Sequence, residues 1–470
     1  MGAFVTGLQI VLLGFNLLIL TYFLVLNIYY LALSVMSTVW LLNFKVRRLG
    51  RFRKLEKNPL LPSVAILSPA YNEEPTIVDS VKSLLKVEYP KLEVIVINDG
   101  SKDRTIDELR RAFKLVWSNR GTKDTLQTKE VKAVYYSEKY PNLYVLDKEN
   151  GGKADALNAG INFSRSDLVC GIDADSLLEK NALMRLVEDY MTGEENVVAL
   201  GGIVRIANDC DIRDGEMVKV RVPRKLIPGL QVVEYIRAFL CGRSGFNIVN
   251  GLLIISGAFG LFNKEAVIQA GGYNNATVGE DMELVVRLHK TMRDLKRPYK
   301  VIFVADPICW TQAPDSLKVL HRQRNRWQRG LLESIFMNRD MLFRRRYGFV
   351  GWISMPFFLI FEGLGPFIEV TGFIIMFISL LAGWIDPSFF LIFLFLAVLL
   401  GIILTMFALI LEEMTVKKYS NPADIVRLLV LGIIENFGYR QLVTIWRMMG
   451  LWDYLNKKKK WGAMIRKKFS

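Results

Sequence analysis

Two short acidic motifs each follow an apolar stretch that is typical of a buried strand. Val94–Asn98 leads into Asp99, and Leu168–Ile172 leads into Asp173 and Asp175. Two aspartates one residue apart, just past a strand, can both address a hard divalent cation and the groups bound to it. An acidic turn of this kind also arises by chance, so the pair indicates a cation site only together with other motifs.

A glycine-rich turn with a single lysine follows the first acidic motif. Gly151 and Gly152 permit close approach of a ligand to the backbone, and Lys153 adds a compact positive charge near the start of a helix-like stretch. This combination suits an anionic ligand. A glycine that caps a helix, beside a solvated lysine, would give the same pattern.

A carboxylate stands at the beginning of a predicted helix in the motif Gly279-Glu280-Asp281. The apolar positions of Asp281–Met292 recur with helical spacing, which fixes the carboxylate at the helix start. There Asp281 is placed to act as a general base toward a hydroxyl group. Acidic residues also favour helix N-termini as simple caps, so both roles stay open.

The last cluster combines amide, guanidinium and indole groups in Gln323-Arg324-Asn325-Arg326-Trp327. An arginine fork can hold a diphosphate, and an indole face can stack on a sugar ring. A basic amphipathic helix lying on a membrane, with Trp327 as its interfacial residue, explains the same pattern. The two interpretations are compatible, because a site at the bilayer surface would satisfy both.

Strands and helices alternate from Pro62 onward. Short β-branched runs predict buried strands, and amphipathic stretches between them predict helices. This alternation predicts an α/β domain with a mostly parallel sheet. Ligands of such sheets collect beyond the carboxyl ends of the strands, where the acidic motifs fall. The predicted strands are Val64–Ser68, Val94–Asn98, Leu143–Leu146, Leu168–Ile172 and Val197–Ile203, and the predicted helices include Pro75–Leu85 and Ala182–Tyr190.

Apolar residues are concentrated toward the two ends of the chain. Hydrophobic residues make up 51% of its 470 residues, and the excess lies before Lys45 and after Phe349. Leu17–Leu42 alone is long enough for one membrane span. We expect one span, preceded by an interfacial segment and retained as an anchor, with two tightly paired spans as the alternative. The basic residues between Lys45 and Lys54 then place the following domain in the cytosol.

The C-terminal apolar region predicts two spans and one ambiguous segment. Glycines and a proline interrupt its first part, so we expect an interfacial or broken half and then a span from Pro366 to Gly383. Phe389–Leu411 predicts a second span. Ile425–Leu451 is also long enough to cross, but polar residues interrupt it, which favours a re-entrant or in-plane segment. The predicted domains are an N-terminal anchor (1–57), a cytosolic α/β domain (58–348), and C-terminal membrane helices with a basic tail (349–470).

Charge distribution and cysteine content argue against a nucleic-acid-binding protein and against a disulfide-rich or zinc-binding one. The formal net charge is +15, but the basic clusters flank apolar runs, which indicates lipid headgroups rather than nucleic acid. The four cysteines are widely scattered and only two histidines are present. We therefore expect neither a disulfide framework nor a zinc site, and interpret the cysteines as buried, reduced thiols.

In this order, the motifs resemble those of glycosyltransferase family 2, specifically its membrane-integrated processive synthases, which include poly-N-acetylglucosamine, hyaluronan and cellulose synthases. The resemblance covers roughly residues 63–330. It implies a GT-A-type α/β domain with one mixed sheet that binds a uridine diphosphate sugar. The matching residues are Pro69-Ala70-Tyr71-Asn72-Glu73, the Asp99 turn, the Lys153 segment, Asp173 and Asp175, Ser256-Gly257-Ala258-Phe259, Asp281 and Gln323–Trp327.

The resemblance also implies a role for each motif. Asp175 would bind Mg²⁺ or Mn²⁺, and Asp281 would deprotonate the acceptor hydroxyl for a direct attack that inverts the anomeric carbon. Acceptor binding would fall to Ser256, Gly257, Phe259 and Trp327. Donor binding would fall to Tyr71, Glu73, Asp99, Lys153, Asp173, Gln323 and Arg326, of which the last two hold the diphosphate.

Two features depart from the family pattern. Gly279 stands where this branch often has threonine, although Asp281 is retained. The membrane part, with three or four predicted spans, is smaller than that of cellulose-type synthases, so an oligomer or an accessory export subunit is expected to assist. The sequence thus predicts a polymerising synthase of the plasma membrane. Transfer of one or a few sugars to a lipid or short glycan, and a catalytically silent membrane scaffold, are the alternatives.

Overall fold

The protein is described here by a computed structural model. The structure describes residues 2–48, 58–192, 196–213 and 216–458. The predicted basic segment beyond residue 48 and the basic tail beyond residue 458 lie outside these ranges. Helix α1 is Gly2–Arg48, and the α/β domain follows it.

A ten-stranded mixed sheet forms the centre of the described α/β domain, in the order β3-β4-β5-β2-β1-β6-β11-β8-β12-β7. Seven strands, namely β1, β2, β3, β5, β6, β8 and β12, point in the same direction. The predicted mostly parallel sheet is therefore confirmed. The strands are β1 Val64–Ala70, β2 Leu92–Asp99, β3 Leu115–Trp117, β4 Val131–Ser137, β5 Leu143–Lys148, β6 Leu168–Gly171, β7 Ser176–Leu178, β8 Val197–Ile206, β11 Gly260–Asn263 and β12 Lys300–Thr311, with β9 Asp211–Arg213 and β10 Glu216–Lys219 as a separate pair.

Helices cover the sheet of the α/β domain. The central strands are apolar and buried along nearly their whole length, as expected where helices cover a parallel sheet. The helices of this domain are α2 Ile77–Leu85, α3 Thr105–Phe113, α4 Lys153–Phe163, α5 Ala182–Thr192, α6 Leu226–Arg237, α7 Ser244–Ile248, α8 Lys264–Gln269, α9 Glu280–Asp294 and α10 Leu317–Met337.

The three strands that precede the acidic and aromatic motifs are neighbours in the sheet. β1 pairs in parallel with β2 on one side and with β6 on the other. The carboxyl ends of parallel strands meet at one edge, so the loops after all three lie close together. Motifs that are far apart in the sequence are therefore brought together at one site.

The N-terminal apolar region is one helix, α1, whose span candidate is Val11–Asn43. The predicted single span is supported over the alternative of two paired spans, because two spans would need a break that α1 does not have. The predicted interfacial segment before the span is part of the same helix.

The C-terminal helices provide the other span candidates. They are α11 Met355–Phe357, α12 Gly365–Leu381, α13 Pro387–Leu394, α14 Leu400–Thr415, α15 Pro422–Ile434 and α16 Arg440–Leu455. Among the described residues, three helices are long and apolar enough to cross a membrane, or four if the bent pair Val350–Gly363 and Gly365–Leu381, at 43°, is one span. Pro422–Leu455 is among the three by length and composition, but Phe437 and Gly438 break it with non-helical backbone angles. A re-entrant course for it stays a prediction.

Buried ion pairs join the α/β domain to the membrane helices. Arg205 of β8 and Glu412 of α14 are 3% and 1% exposed at the side chain, and their Nη2 and Oε2 atoms are 2.5 Å apart. Arg237, at the end of α6, holds both carboxylate oxygens of Glu435 at 2.7 and 2.8 Å. A buried charge is costly without its partner, so these pairs fix how the domain sits on the helices.

Candidate active site

The loops after β1 and β2 are tied to each other by side chain to backbone hydrogen bonds. The amide of Asn72 donates to Ser101 Oγ at 3.0 Å, and the amide of Glu73 donates to Thr105 Oγ1 at 2.9 Å. Tyr71, at the start of the first loop, keeps 46% of its surface exposed. The loops therefore form one unit that presents the Tyr71 ring at the edge of the sheet.

Asp99 is held by four donors. Its Oδ1 accepts from Lys148 Nζ at 2.8 Å and from the Gly151 amide at 3.0 Å, and its Oδ2 accepts from the Gly152 amide at 2.8 Å and from Asn150 Nδ2 at 3.2 Å. A carboxylate offers about four lone-pair sites. Because all of them are used, the geometry makes Asp99 the support of the glycine turn.

A buried ion cluster lies beneath that turn. Lys148 is fully buried, and its Nζ lies 2.8 Å from Asp99 and 2.6 Å from Asp155. Gly151 has no room for a side chain, because a Cβ there would lie 2.4 Å from Asp155. Gly152 has a φ of +91°, a conformation that favours glycine. Local packing and backbone conformation thus explain why both positions are glycine. Together the two glycines direct α4 and Lys153 toward the strand ends.

Lys153, the first residue of α4, reaches the second acidic motif. Its Nζ lies 2.5 Å from Asp173 Oδ1 and 3.4 Å from Glu280 Oε1. Burial disfavours the charged ammonium, but the attraction of Asp173 and Glu280 outweighs it and raises the pKa of Lys153 above its ordinary value. Burial also raises the pKa of Glu280, against the attraction of Lys153. Lys153 is therefore a permanent cation in a cluster of carboxylates.

Asp281 meets the Ser256–Phe259 loop at the start of α9. Its Oδ2 accepts a hydrogen bond from the Gly257 amide at 2.9 Å, and Lys153 Nζ lies 3.4 Å from the Gly257 carbonyl oxygen. A Cβ at Gly257 would lie 3.0 Å from that Nζ and 3.2 Å from Asp281 Oδ2. Gly257 thus brings the lysine and the aspartate to either side of one peptide unit.

The glycine at position 279 is explained by a close backbone contact. Gly279 precedes α9, and a Cβ there would lie 2.7 Å from the Cα of Gly330 in α10. A Cβ at Gly330 would lie 2.8 Å from the Cα of Gly279. The start of the Asp281 helix and the helix of the Gln323–Trp327 cluster therefore touch backbone to backbone, which leaves no room for threonine.

Helix α10 carries the last cluster along one side of the site. Arg324 is buried and pairs with Glu234 at 2.6 Å, while its guanidinium lies 4.3 Å from the centre of the Trp327 ring. Tyr439, beyond the break between α15 and α16, donates to the same Glu234 oxygen at 3.1 Å. These contacts hold Trp327, which is 42% exposed, toward the site.

A single cavity of about 1430 Å³ connects these groups. It continues from the strand ends to Phe357, Leu396 and Thr444 between the membrane helices. Of the predicted site residues, it is lined by Tyr71, Glu73, Asp99, Lys153, Asp173, Asp175, Ser256, Gly257, Asp281, Gln323, Arg326 and Trp327.

Phe259 is placed elsewhere, which corrects its predicted acceptor role. Its side chain is fully buried and does not line the cavity. A Cβ at Gly202 of β8 would lie 2.3 Å from the Phe259 ring, so this glycine makes the space for it. Phe259 therefore belongs to the core that supports the loop, and the motif has an apolar residue at this position for packing.

The chemistry of the acidic residues fits a cation that is shared with a ligand. The described residues contain no group of three or more histidine, cysteine, aspartate or glutamate side chains placed to hold a metal ion alone. Mg²⁺ typically binds through one or two protein carboxylates plus substrate phosphates. Asp173 and Asp175, both on the cavity wall, supply that number.

Some residues of the site were not predicted from the sequence. Lys148 shows no motif of its own, because its partner Asp99 is distant along the chain, and the glycine motif that contains Asp155 does not reveal the pairing of Asp155 with Lys148. Glu234 lies in a segment without a recognisable motif, and Glu280 is visible in the sequence only as the neighbour of Asp281. The one sequence signal available was the presence of charged residues within otherwise apolar stretches, which predicts buried pairs without identifying the partners.

Comparison with known proteins agrees with this arrangement. A sequence profile described as "Glycosyl transferase family 2" matches residues 65–268, and one described as "Glycosyl transferase family group 2" matches residues 168–409. A mannosyltransferase from Pyrobaculum calidifontis, solved in complex with GDP-Man and Mn²⁺, has a TM-score of 0.54 at 17% identity, covering 92% of this chain and 100% of that one. This similarity confirms the predicted GT-A-type fold.

Curated relatives carry the name poly-β-1,6-N-acetyl-D-glucosamine synthase. The protein of Staphylococcus aureus strain COL is 28% identical over 303 residues, which cover 63% of this chain and 62% of the relative. That of Staphylococcus epidermidis is 27% identical over 268 residues, which cover 57% of this chain and 54% of the relative. The chain thus matches less than two thirds of the length of these relatives. Because the second family profile alone spans more than half of the chain, the chain belongs to glycosyltransferase family 2.

Proposed function

We propose that this chain is a membrane-embedded, metal-dependent, inverting glycosyltransferase. It adds a hexose or N-acetylhexosamine from a UDP-sugar to a growing β-linked polysaccharide at the cytosolic face of the plasma membrane. The observation that carries the proposal is the meeting of Lys153, Asp173 and Asp281 around Gly257, in one cavity with Arg326 and Trp327. Groups for a diphosphate, a hydroxyl proton and a sugar ring therefore share one space.

The donor lies across the carboxyl ends of β1, β2 and β6. Tyr71 offers an exposed ring against which the base can stack, and Glu73 lies beside it on the cavity wall. Asp99 acts through the glycine turn, since its oxygens already accept four hydrogen bonds. Lys153 and Asp173 then place the phosphate end of the donor at the start of α4.

Asp281 serves as the general base. Its Oδ2 is fixed by the Gly257 amide, which orients the carboxylate toward the cavity. The acceptor oxygen forms a bond to the anomeric carbon while the bond from that carbon to the diphosphate oxygen breaks, and the hydroxyl proton passes to Asp281. Attack from the face opposite the leaving group inverts the anomeric carbon.

The diphosphate that leaves carries the electron pair of the broken bond. Gln323 and Arg326 of α10 face the same cavity and hold this charge through hydrogen bonds. A Mg²⁺ or Mn²⁺ ion bound by Asp175, with Asp173 beside it, would neutralise developing charge on the diphosphate. The related mannosyltransferase fold was solved with Mn²⁺, which supports this choice of metal.

The acceptor enters from the side of Trp327. The indole is half-exposed and oriented by Arg324, and the cavity continues from it between the membrane helices. A growing chain has room there, as the names of the curated relatives suggest. Because the described residues contain few span candidates, the proposal includes a second copy or an accessory subunit that assists export of the product.

The direct test is a screen of UDP-sugars with purified full-length protein in detergent. UDP release is measured with Mg²⁺ or Mn²⁺, first from UDP-N-acetylglucosamine because of the names of the relatives. We expect release from one UDP-sugar and a labelled product that lengthens at donor excess. A product that stays one sugar long would refute polymerisation and favour a lipid or short glycan acceptor. Absence of release with any UDP-sugar would favour the silent scaffold.

A further inference from the structure

Arg243 is a partly buried cation on the wall of the active-site cavity that the proposed chemistry does not use. It follows α6 in the turn Ala238–Arg243 and lines the cavity with Asp281. Its Nη1 is buried without a hydrogen-bond partner among the described residues. Its guanidinium lies over the face of Phe239, whose ring centre is 3.9 Å away.

Other arginines on the same cavity wall are paired. Arg324 meets Glu234 at 2.6 Å, Arg237 meets Glu435 at 2.7 Å, and Arg447 meets Glu362 at 2.7 Å. Burial lowers the pKa of Arg243 to about 10, and the charge of Asp281 opposes that shift only in part. A buried donor without a partner is costly, and each such group requires an explanation, such as strain, an ordered water, an ion or a functional role.

The surroundings of Arg243 place it on the acceptor side. The negative charge of Asp281 acts on it, and the ring centre of Phe239, which stacks on its guanidinium, lies 6.1 Å from that of Tyr235. The Tyr235 ring centre lies 6.5 Å from that of Trp327, the proposed sugar platform. Arg243 thus lies near the general base and near the acceptor platform, whereas the metal residue Asp175 and the glycine turn lie at the strand ends.

We propose that Arg243 binds the terminal sugar of the acceptor, with its guanidinium donating hydrogen bonds to hydroxyl or acyl oxygens next to the hydroxyl that attacks. The Phe239 face holds the guanidinium flat from one side, and the edge of the guanidinium that lines the cavity meets the ligand. This assignment rests on the proposed function and deepens it, because it names a group that orients the acceptor beside Asp281.

Two variants separate this role from a purely electrostatic one. Arg243→Gln removes the charge, and Arg243→Lys keeps the charge but loses the planar fork and its stacking on Phe239. Arg111→Gln is the control, because Arg111 is exposed on α3 and pairs with the neighbouring Glu108, away from the cavity. The probes are UDP-N-acetylglucosamine as donor and a β-1,6-linked N-acetylglucosamine pentasaccharide as acceptor, with full-length protein in detergent.

We expect the acceptor KM to rise by about tenfold or more in both Arg243 variants, since Arg243→Gln loses the charge-assisted hydrogen bonds and Arg243→Lys loses the planar fork that directs them to the sugar oxygens. The Kd of UDP, measured separately by calorimetry, should stay within about twofold of wild type, which also reports a folded protein. An unchanged acceptor KM, a raised Kd of UDP, or full rescue by Arg243→Lys would each overturn the assignment. Wild-type protein that releases no UDP from any UDP-sugar of the screen would instead refute the proposed function itself.

Discussion

Replacing Gly330 by alanine tests whether the contact between α9 and α10 sets the geometry of the site. In an ordinary helix this change would stabilise the protein by up to about 1 kcal/mol, because alanine has the better helix propensity. Here the new Cβ would lie 2.8 Å from the Gly279 Cα and 2.9 Å from its nitrogen, whereas ordinary contacts begin at 3.4 Å. The backbones would have to separate by about 0.6 Å, and overpacking of this kind costs about 1–3 kcal/mol.

The same separation would move Gln323, Arg326 and Trp327 away from Asp281. Misplacement of reacting groups by about 1 Å can cost on the order of a hundredfold in rate. We therefore expect Gly330→Ala to lower kcat for UDP release by about tenfold or more, with a lower midpoint of thermal unfolding. Gly121→Ala is the control, since no atom lies within 4 Å of its Cβ position. A Gly330→Ala protein with wild-type kcat and a raised midpoint would refute the reasoning.

Three other outcomes are expected. Glu412→Gln should lower the free energy of chemical unfolding by about 3 kcal/mol, because buried Arg205 loses its charged partner. If a second change, Arg205→Met, restores the stability, the unpaired charge is the cause. Burial lowers the pKa of His289 to about 4 in the folded protein, below the ordinary value of about 6.5. As the pH falls below 6.5, His289 is therefore protonated in the unfolded chain before it is protonated in the folded protein. The free energy of unfolding should drop by about 2 kcal/mol between pH 7 and 5. A His289→Gln variant with the same drop would contradict this. Lys148→Met should abolish donor binding in calorimetry, since Asp99 and Asp155 are left as unpaired buried charges beneath the glycine turn; unchanged binding would show that the cluster does not shape the site.

The strands of the sheet could be predicted because their signal is local. Val64–Ser68 and Leu168–Ile172 were predicted within two residues of the observed bounds, since buried parallel strands are continuous apolar runs. The positions of the acidic motifs followed from the same pattern, because a polar residue directly after such a run must lie at the sheet edge. The continuous α1 likewise followed from one long apolar stretch.

Contacts between distant segments could not be predicted in this way. The burial of Phe259 depends on the space that Gly202 leaves in a different strand, and the glycine at 279 depends on Gly330 in α10. The partnership of Arg324 with Glu234 depends on how α6 and α10 face each other. Each of these is a property of tertiary packing, which no spacing within one segment encodes.

The rate of UDP release by Asp281→Asn tests the central claim most directly. Asparagine keeps the shape of the side chain near Gly257 but cannot take the acceptor proton. Asp294→Asn, the same change at the other end of α9, is the matched control. We predict that Asp281→Asn lowers kcat by on the order of a hundredfold or more with the Kd of UDP unchanged, while Asp294→Asn retains wild-type kcat. Wild-type kcat in Asp281→Asn would contradict the assignment of Asp281 as the general base.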